Sequence, residues 1–338
     1  MTDYFRPLVQ IGPARPDTAV SLAGGWGWFT HAEVLSRYAP PRVVPAVDIP
    51  ASVMARLTAH RPAMAGLTLD RPRIMGILNT TPDSFSDGGQ HNAVPDALRV
   101  AQEMVTAGAD ILDIGGESTR PGADFVPVSE EITRTAPVIA ALRGAGLHTP
   151  ISIDTRKAAV AEAAVSAGAN LVNDVSGFTF DPALGPLCQK LALPVCVMHA
   201  QGDPATMHLD PQYDNVLLDV FDALERQISI LEASGIPRGA ILADPGIGFG
   251  KTQDHNLALL ARLSLFHALG TPILLGVSRK RFIGTIGNAP QAQDRAPGSI
   301  AVALAGLGQG VQMIRVHDVD DTRQAVALWH AAYFGSIL

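Results

Sequence analysis

Eight short apolar runs in this chain end on residues that can do chemistry: Asn79; Asp113, with Glu117 close behind; Asp154; Asn173 with Asp174; His199; Asp244; Ser278 with Lys280; and Arg315 with His317. Any one of these alone reads as a cap or turn residue. Eight in succession are much harder to explain that way. Two kinds of chemistry are on offer. Arg120, Arg279, Lys280, Arg281, Arg315 and His317 could hold a phosphorylated group, arginine as a bidentate partner and lysine as a point charge. Asp154, Asn173 and Asp244 could pair with a flat, nitrogen-rich ring, because a carboxylate accepts two parallel N–H bonds from an amino-pyrimidinone edge much as it does from guanidinium. These residue types reach a heterocycle and a phosphate. They name no reaction.

Several other residues have plainer explanations. Gly248-Phe249-Gly250-Lys251-Thr252 brushes against a phosphate-loop pattern, but the spacing of the full motif is wrong. Met198 reads by default as core, His199 and His255 as packed or capping histidines, and Asp83 and Asp87 as turn residues.

Bringing the strand ends together requires a particular architecture. The apolar runs are Ile74 to Leu78, Ile111 to Ile114, Ile151 to Ile153, Leu171 to Val172, Val195 to Met198, Ala240 to Ala243, Ile273 to Val277 and Gln312 to Val316. Between them lie helical stretches such as Asp96 to Ala107, Ser129 to Arg143, Lys157 to Ala167, Asn215 to Ala233 and Gly298 to Gly308. Such alternation predicts parallel strands with crossover helices, and eight strands close a (β/α)₈ TIM barrel whose C-terminal rim carries the active site. An open doubly wound sheet is the structural alternative. A barrel takes about 250 residues, and this chain has 338. Residues 1 to 70, with Ala39-Pro40-Pro41 and two of the three tryptophans, are therefore expected to form an N-terminal extension of short strands and a helix, and residues 71 to 338 the barrel.

Composition narrows the setting. A net charge of -7 argues against a duplex-nucleic-acid binder, whose footprint is a basic patch. Two cysteines, Cys188 and Cys196, both within apolar patterns, build neither a disulfide framework nor a thiolate zinc site. With no signal-like start and no run of about 18 apolar residues, a cytoplasmic protein with no membrane partner is expected.

The segments themselves resemble those of the dihydropteroate synthases. Ile74-Met75-Gly76-Ile77-Leu78-Asn79-Thr80-Thr81-Pro82-Asp83-Ser84-Phe85-Ser86-Asp87-Gly88-Gly89 is similar to that family's first strand and loop, and Asp113-Ile114-Gly115-Gly116-Glu117-Ser118-Thr119-Arg120-Pro121-Gly122-Ala123 to its second. Ser152-Ile153-Asp154-Thr155, Val172-Asn173-Asp174, Val197-Met198-His199, Asp244 to Lys251, Ser278-Arg279-Lys280 and Arg315-Val316-His317-Asp318 follow in the family's order. The resemblance covers roughly residues 73 to 330. Thr80 departs from it, standing where many members carry Val.

The resemblance implies that para-aminobenzoate attacks the exocyclic methylene of a pterin diphosphate and displaces diphosphate. Asp154, Asn173, Met198, Asp244 and Lys280 would bind the pterin. Asn79, Arg120, Arg315 and His317 would bind diphosphate, with Asn79 also a ligand of Mg²⁺. Thr119, Pro121, Phe249, Ser278 and Phe85 would enclose para-aminobenzoate. A homodimer is implied as well. A pterin-dependent methyltransferase, the nearest rival, shares the pterin-binding acids but gives no reason for the two long loops.

Overall fold

The structure, a computed structural model, describes residues 3–81, 93–118, 125–202 and 210–337. The chain begins with β1 (Tyr4–Pro7), β2 (Val20–Ser21), β3 (Trp28–Phe29), β4 (His31–Leu35) and β5 (Arg42–Pro45), followed by α1 (Ala51–Thr58). β1, β4 and β5 form one antiparallel sheet, and β2 pairs with β3. Short strands and a helix are what the sequence led us to expect of this region.

The next eight strands are β6 (Arg73–Asn79), β7 (Ile111–Gly115), β8 (Ile151–Asp154), β9 (Leu171–Asp174), β10 (Val195–Met198), β11 (Ile241–Asp244), β12 (Leu274–Gly276) and β13 (Met313–Val316). Each is parallel to its neighbour, β13 lies beside β6, and a bridge between Ala243 and Ile273 joins β11 to β12. The sheet therefore closes on itself as a (β/α)₈ barrel, which leaves no unpaired edge among these strands. Helices α2 (Ala93–Thr106), α3 (Val128–Gly144), α4 (Ala158–Ala167), α5 (Leu184–Lys190), α6 (Val216–Ala233), α7 (Gln253–Leu260), α8 (Arg281–Ile286), α9 (Ala296–Gly308) and α10 (Val319–Phe334) fill the connections. α6 starts where Asn215 caps it, its side chain accepting from the Leu218 N–H at 3.2 Å.

Side chains alternate across a strand, so residues two apart face the same side. Leu112, Ile114, Ile153, Val172, Val197, Ala243, Leu275 and Ile314 face the helices and are buried in the main core. Met75, Ile111, Leu171, Cys196, Leu242, Leu274 and Met313 form a separate buried cluster inside the barrel. Met64 and Leu69 complete that cluster from outside the sheet, in a tight turn whose Met64 and Leu67 exchange backbone hydrogen bonds of 2.9 and 2.8 Å. The segment before β6 thus plugs the end of the barrel where the strands begin.

Further up the chain, the extension is tied to the barrel's flank. The Tyr4 hydroxyl donates to Asp222 on α6, and the Trp26 indole N–H donates to the Leu307 carbonyl on α9 at 2.9 Å. Arg61 is almost fully buried, without a carboxylate partner among the described residues, donating to the carbonyls of Ala59, Arg56 and His267. No helix among the described residues is long and apolar enough to cross a membrane.

Candidate active site

On five of the eight strands, one step of two residues leads from the apolar layer to a polar one. Ile111 is followed by Asp113, Leu171 by Asn173, Cys196 by Met198, Leu242 by Asp244 and Met313 by Arg315. The alternation keeps all of these facing inward, at the ends of the strands. Barrel closure then sets β13, β6, β7 and β8 side by side, which brings Arg315 to Asp113 and Asp154. Its Nε donates to Asp113 Oδ2 at 2.6 Å and its Nη2 to Asp154 Oδ2 at 2.7 Å. Asn173 Nδ2 donates to the same Asp113 oxygen at 3.2 Å, whereas, among the described residues, Asp113 Oδ1 is buried without a hydrogen-bond partner.

Burial governs the electrostatics here. It raises the Asp154 carboxyl, against the pull of Arg315. Asp244 is also raised by burial, opposed by Lys280 and by the Gly246 N–H, which donates to Asp244 Oδ1 at 2.7 Å. Lys280 is pushed down to about 8 by burial, with Asp244 opposing. Desolvation disfavours the charged form of each group. The layer therefore holds carboxyls that a ligand with N–H donors could draw into their charged form.

Lys280 caps α8 after Arg279, whose φ of 58° turns the chain sharply. That turn is held by the Arg279 N–H donating to Ser299 Oγ at 2.8 Å and by the Arg279–Asp318 ion pair. Lys280 Nζ donates to the Ile247 carbonyl and lies 4.3 Å from the centre of the Phe249 ring. Met198 sits opposite Asp244 in register and is buried. Across β12 and β13, Ser278 Oγ and His317 Nδ1 are 2.9 Å apart, and the His317 N–H donates to Ser278 Oγ at 3.1 Å. Asn79 ends β6, partly exposed, opposite Gly115. Next to it, the Thr80 hydroxyl donates to the Gly115 carbonyl at 3.1 Å, so the family's Val is replaced here without leaving a buried polar group unpaired.

Of the residues expected in the site, Asp154, Asn173, Met198, Asp244, Lys280, Arg315, His317, Ser278, Phe249 and Asn79 all lie at or just beyond these strand ends. Phe85, Thr119, Arg120 and Pro121 lie outside the described residues, as do Asp83 and Asp87. Two strand-end carboxylates have other occupations. Asp174 accepts from the N–H groups of Ser176 and Phe178 and so holds its own turn. Glu117 is bound by the Val126 N–H, Arg156 and Lys157 at the root of the second loop. His199 packs against Tyr213 and Lys251, and His255 closes a capping box with Thr252, as their plainer readings have it. Lys251 is turned into the protein against the Gly246 and Phe249 carbonyls rather than toward a phosphate.

Sequence reasoning gave Asp113 no task, although its place two residues after buried Ile111 marks it as inward-facing. Its partner Arg315 is 202 positions away.

The geometry has counterparts among known proteins. The pterin binding enzyme family matches residues 75–317. The chain is 45% identical over 258 residues to the dihydropteroate synthase of Escherichia coli, a match spanning 76% of this chain and 90% of that one. A crystal structure of Xanthomonas albilineans dihydropteroate synthase with 4-aminobenzoic acid superposes with a TM-score of 0.74 at 44% identity, covering 79% of this chain and 96% of that one. The same enzyme in complex with 7,8-dihydropteroate gives 0.72 at 42% identity, over 79% and 95%. The chain therefore belongs to the pterin binding enzymes, among the dihydropteroate synthases.

Proposed function

We propose that this protein is a transferase that condenses 6-hydroxymethyl-7,8-dihydropterin diphosphate with para-aminobenzoate, giving 7,8-dihydropteroate and diphosphate. The observation that carries this reading is the inward polar layer, in which Asp154, Asn173, Asp244, Lys280 and Arg315 stand at strand ends above an apolar barrel floor. The ligands of the X. albilineans structures, 4-aminobenzoic acid and 7,8-dihydropteroate, are the substrate and product this reading assigns.

In the reaction the aromatic amine forms a C–N bond to the exocyclic methylene as the C–O bond to diphosphate breaks, and the amine loses a proton. Positive charge grows on the pterin methylene and negative charge on the leaving group, so the useful interactions are those that strengthen as the charges separate. Asp154, Asn173 and Asp244 hold the pterin edge, Lys280 reaches its carbonyl and a ring nitrogen, and Met198 packs against the ring. Carboxylates beside the ring favour the developing cation. Arg315 and His317, with Arg120, take the diphosphate; a guanidinium has five N–H donors, so binding two carboxylates still leaves donors for a phosphate oxygen. Ser278 and Phe249 line the para-aminobenzoate pocket with Phe85, Thr119 and Pro121.

Asn79 is the protein ligand we assign to Mg²⁺. Its carboxamide oxygen is a donor of the right hardness, and magnesium needs few protein contacts where phosphates and water complete its shell. When bound there, the ion would offset the negative charge of the departing diphosphate.

A homodimer and a cytoplasmic location belong to the same proposal, resting on likeness to the family. Sedimentation of the purified protein tests the dimer. The decisive experiment incubates the purified protein with both substrates and Mg²⁺. Pteroate should form, and its absence from folded, magnesium-supplied protein would overturn the assignment.

A further inference from the structure

Between β11 and α7 the chain runs Asp244-Pro245-Gly246-Ile247-Gly248-Phe249-Gly250-Lys251. Gly246 and Gly250 have φ of +68° and +60°, and a Cβ on them would sit 1.9 Å from the His199 carbonyl oxygen and 2.4 Å from that of Gln201. Only glycine tolerates such a conformation at so close an approach. The coil turns carbonyl oxygens inward, and Lys251 Nζ occupies the space among them. It lies 2.9 Å from the Gly246 oxygen, 3.0 Å from the Phe249 oxygen, 3.2 Å from the His199 oxygen and 2.9 Å from His199 Nδ1.

Lysine is almost never fully buried unless paired. Lys251 is only 5% exposed, and among the described residues no carboxylate forms an ion pair with it. Burial and the nearby Lys280 press its pKa well below the ordinary value, with Asp244 opposing. The three carbonyl acceptors nevertheless suit an ammonium, whose three N–H donors match them in number, whereas a neutral amine would aim its lone pair at one of them. His199 Nδ1 adds a further acceptor in the tautomer protonated at Nε2. The side chain thus does in this loop what a bound cation does in a carbonyl cage.

An apolar side chain would fill the space without desolvating a charge, so the lysine needs another reason. The loop supplies one, because it also faces the polar layer. Its Gly246 N–H donates to Asp244, its Ile247 carbonyl accepts from Lys280, and its Phe249 ring lies 4.3 Å from Lys280 Nζ. Lys251 and Lys280 hold the loop through different carbonyls. We propose that Lys251, with His199, is a positioning residue that fixes the 245–250 loop so that Phe249 forms a rigid wall of the para-aminobenzoate pocket. This rests on the functional reading above. Small displacements of such a wall cost rate and affinity out of proportion to their size.

The test is a double-mutant cycle on the full chain with steady-state kinetics for both substrates. Lys251→Met should raise KM for para-aminobenzoate by about tenfold or more and KM for the pterin diphosphate by no more than about threefold. The reason is that Asp244 stays anchored at the end of β11 and Lys280 at the start of α8, whereas Phe249 is held by the loop alone. Phe249→Ala should raise the same KM, and the double variant should match Phe249→Ala to within about twofold, because Lys251 acts through Phe249. Multiplying effects in the double variant, an unchanged KM for para-aminobenzoate in Lys251→Met, or an equal rise for both substrates would overturn the proposal. An unchanged KM in Phe249→Ala would instead overturn the pocket assignment on which it rests. Circular dichroism checks folding. If Lys251→Met does not fold, His199→Ala, which removes only the ring nitrogen from the shell, carries the same comparison. Failure of both to fold would make Lys251 a determinant of stability and sink the positioning role.

Discussion

The two inner layers of the barrel come largely from the same strands, two residues apart, yet they are chemical opposites. The lower one is Met75, Ile111, Leu171, Cys196, Leu242, Leu274 and Met313, sealed from below by Met64 and Leu69. The upper one holds Asp113, Asp154, Asn173, Asp244 and Arg315. Apolar surface removed from water stabilises at roughly 25 cal/mol per Å², whereas a buried ion pair recovers its desolvation cost only with good geometry. The lower layer is a source of stability and the upper one draws on it. Function is placed where the fold can tolerate unfavourable groups.

The sharpest way to break this comparison is to unbalance the upper layer. Arg315→Met removes the guanidinium between two carboxylates and should destabilise the fold by about 3–5 kcal/mol, as losing one partner of a buried pair does. Urea unfolding measures it, and a loss below about 1 kcal/mol would mean that the carboxyls do not depend on Arg315. The matching change below is Leu242→Ala, expected to destabilise by about 2–5 kcal/mol through the cavity it leaves. Both KM values of that variant should stay unchanged at a temperature where it is folded; a changed KM would show that the layers are not separable.

Lys280→Ala should do the reverse. Pterin affinity measured by calorimetry should fall by about 1.5–3 kcal/mol, the worth of a charged hydrogen bond, with Tm nearly unchanged. The smallest effect is a proton count. Burial raises the Asp154 carboxyl, and a ring whose N–H groups favour the charged form draws its pKa back down, so pterin binding should release protons from Asp154. Lys280, lowered to about 8 by burial, is mostly charged at pH 7 and takes up little. Calorimetry in buffers of different ionisation heat should show net release, absent in Asp154→Asn. Net uptake would refute the sign.

Much of this was legible in the sequence because two periodicities carry it. Alternating strands and helical stretches announce the barrel, and the residue after each apolar run announces the rim. What stayed hidden depends on tertiary register. Nothing near Asp113 reveals Arg315, because the pair exists only once β13 closes against β6. Asp174 and Glu117 looked like rim groups, but local turns claim them, and local sequence does not say which carboxylates those turns need. The spacing around Lys251 excludes a phosphate loop but does not say where the lysine goes, since that depends on the positive φ angles of Gly246 and Gly250. Buried Arg61 gave no signal in local sequence, because the His267 carbonyl it binds lies 206 positions away.

The Met64–Leu69 plug bears on how the chain can be taken apart. A boundary drawn at the first barrel strand would keep every catalytic candidate and still discard the stopper under the lower layer. Water would then reach Met75, Leu242 and Met313 from below. Whatever the rest of the extension does, the smallest self-sufficient piece of this protein has to begin upstream of Met64, and a shortened gene that starts at Arg73 would encode an open-ended barrel prone to stick to its own copies.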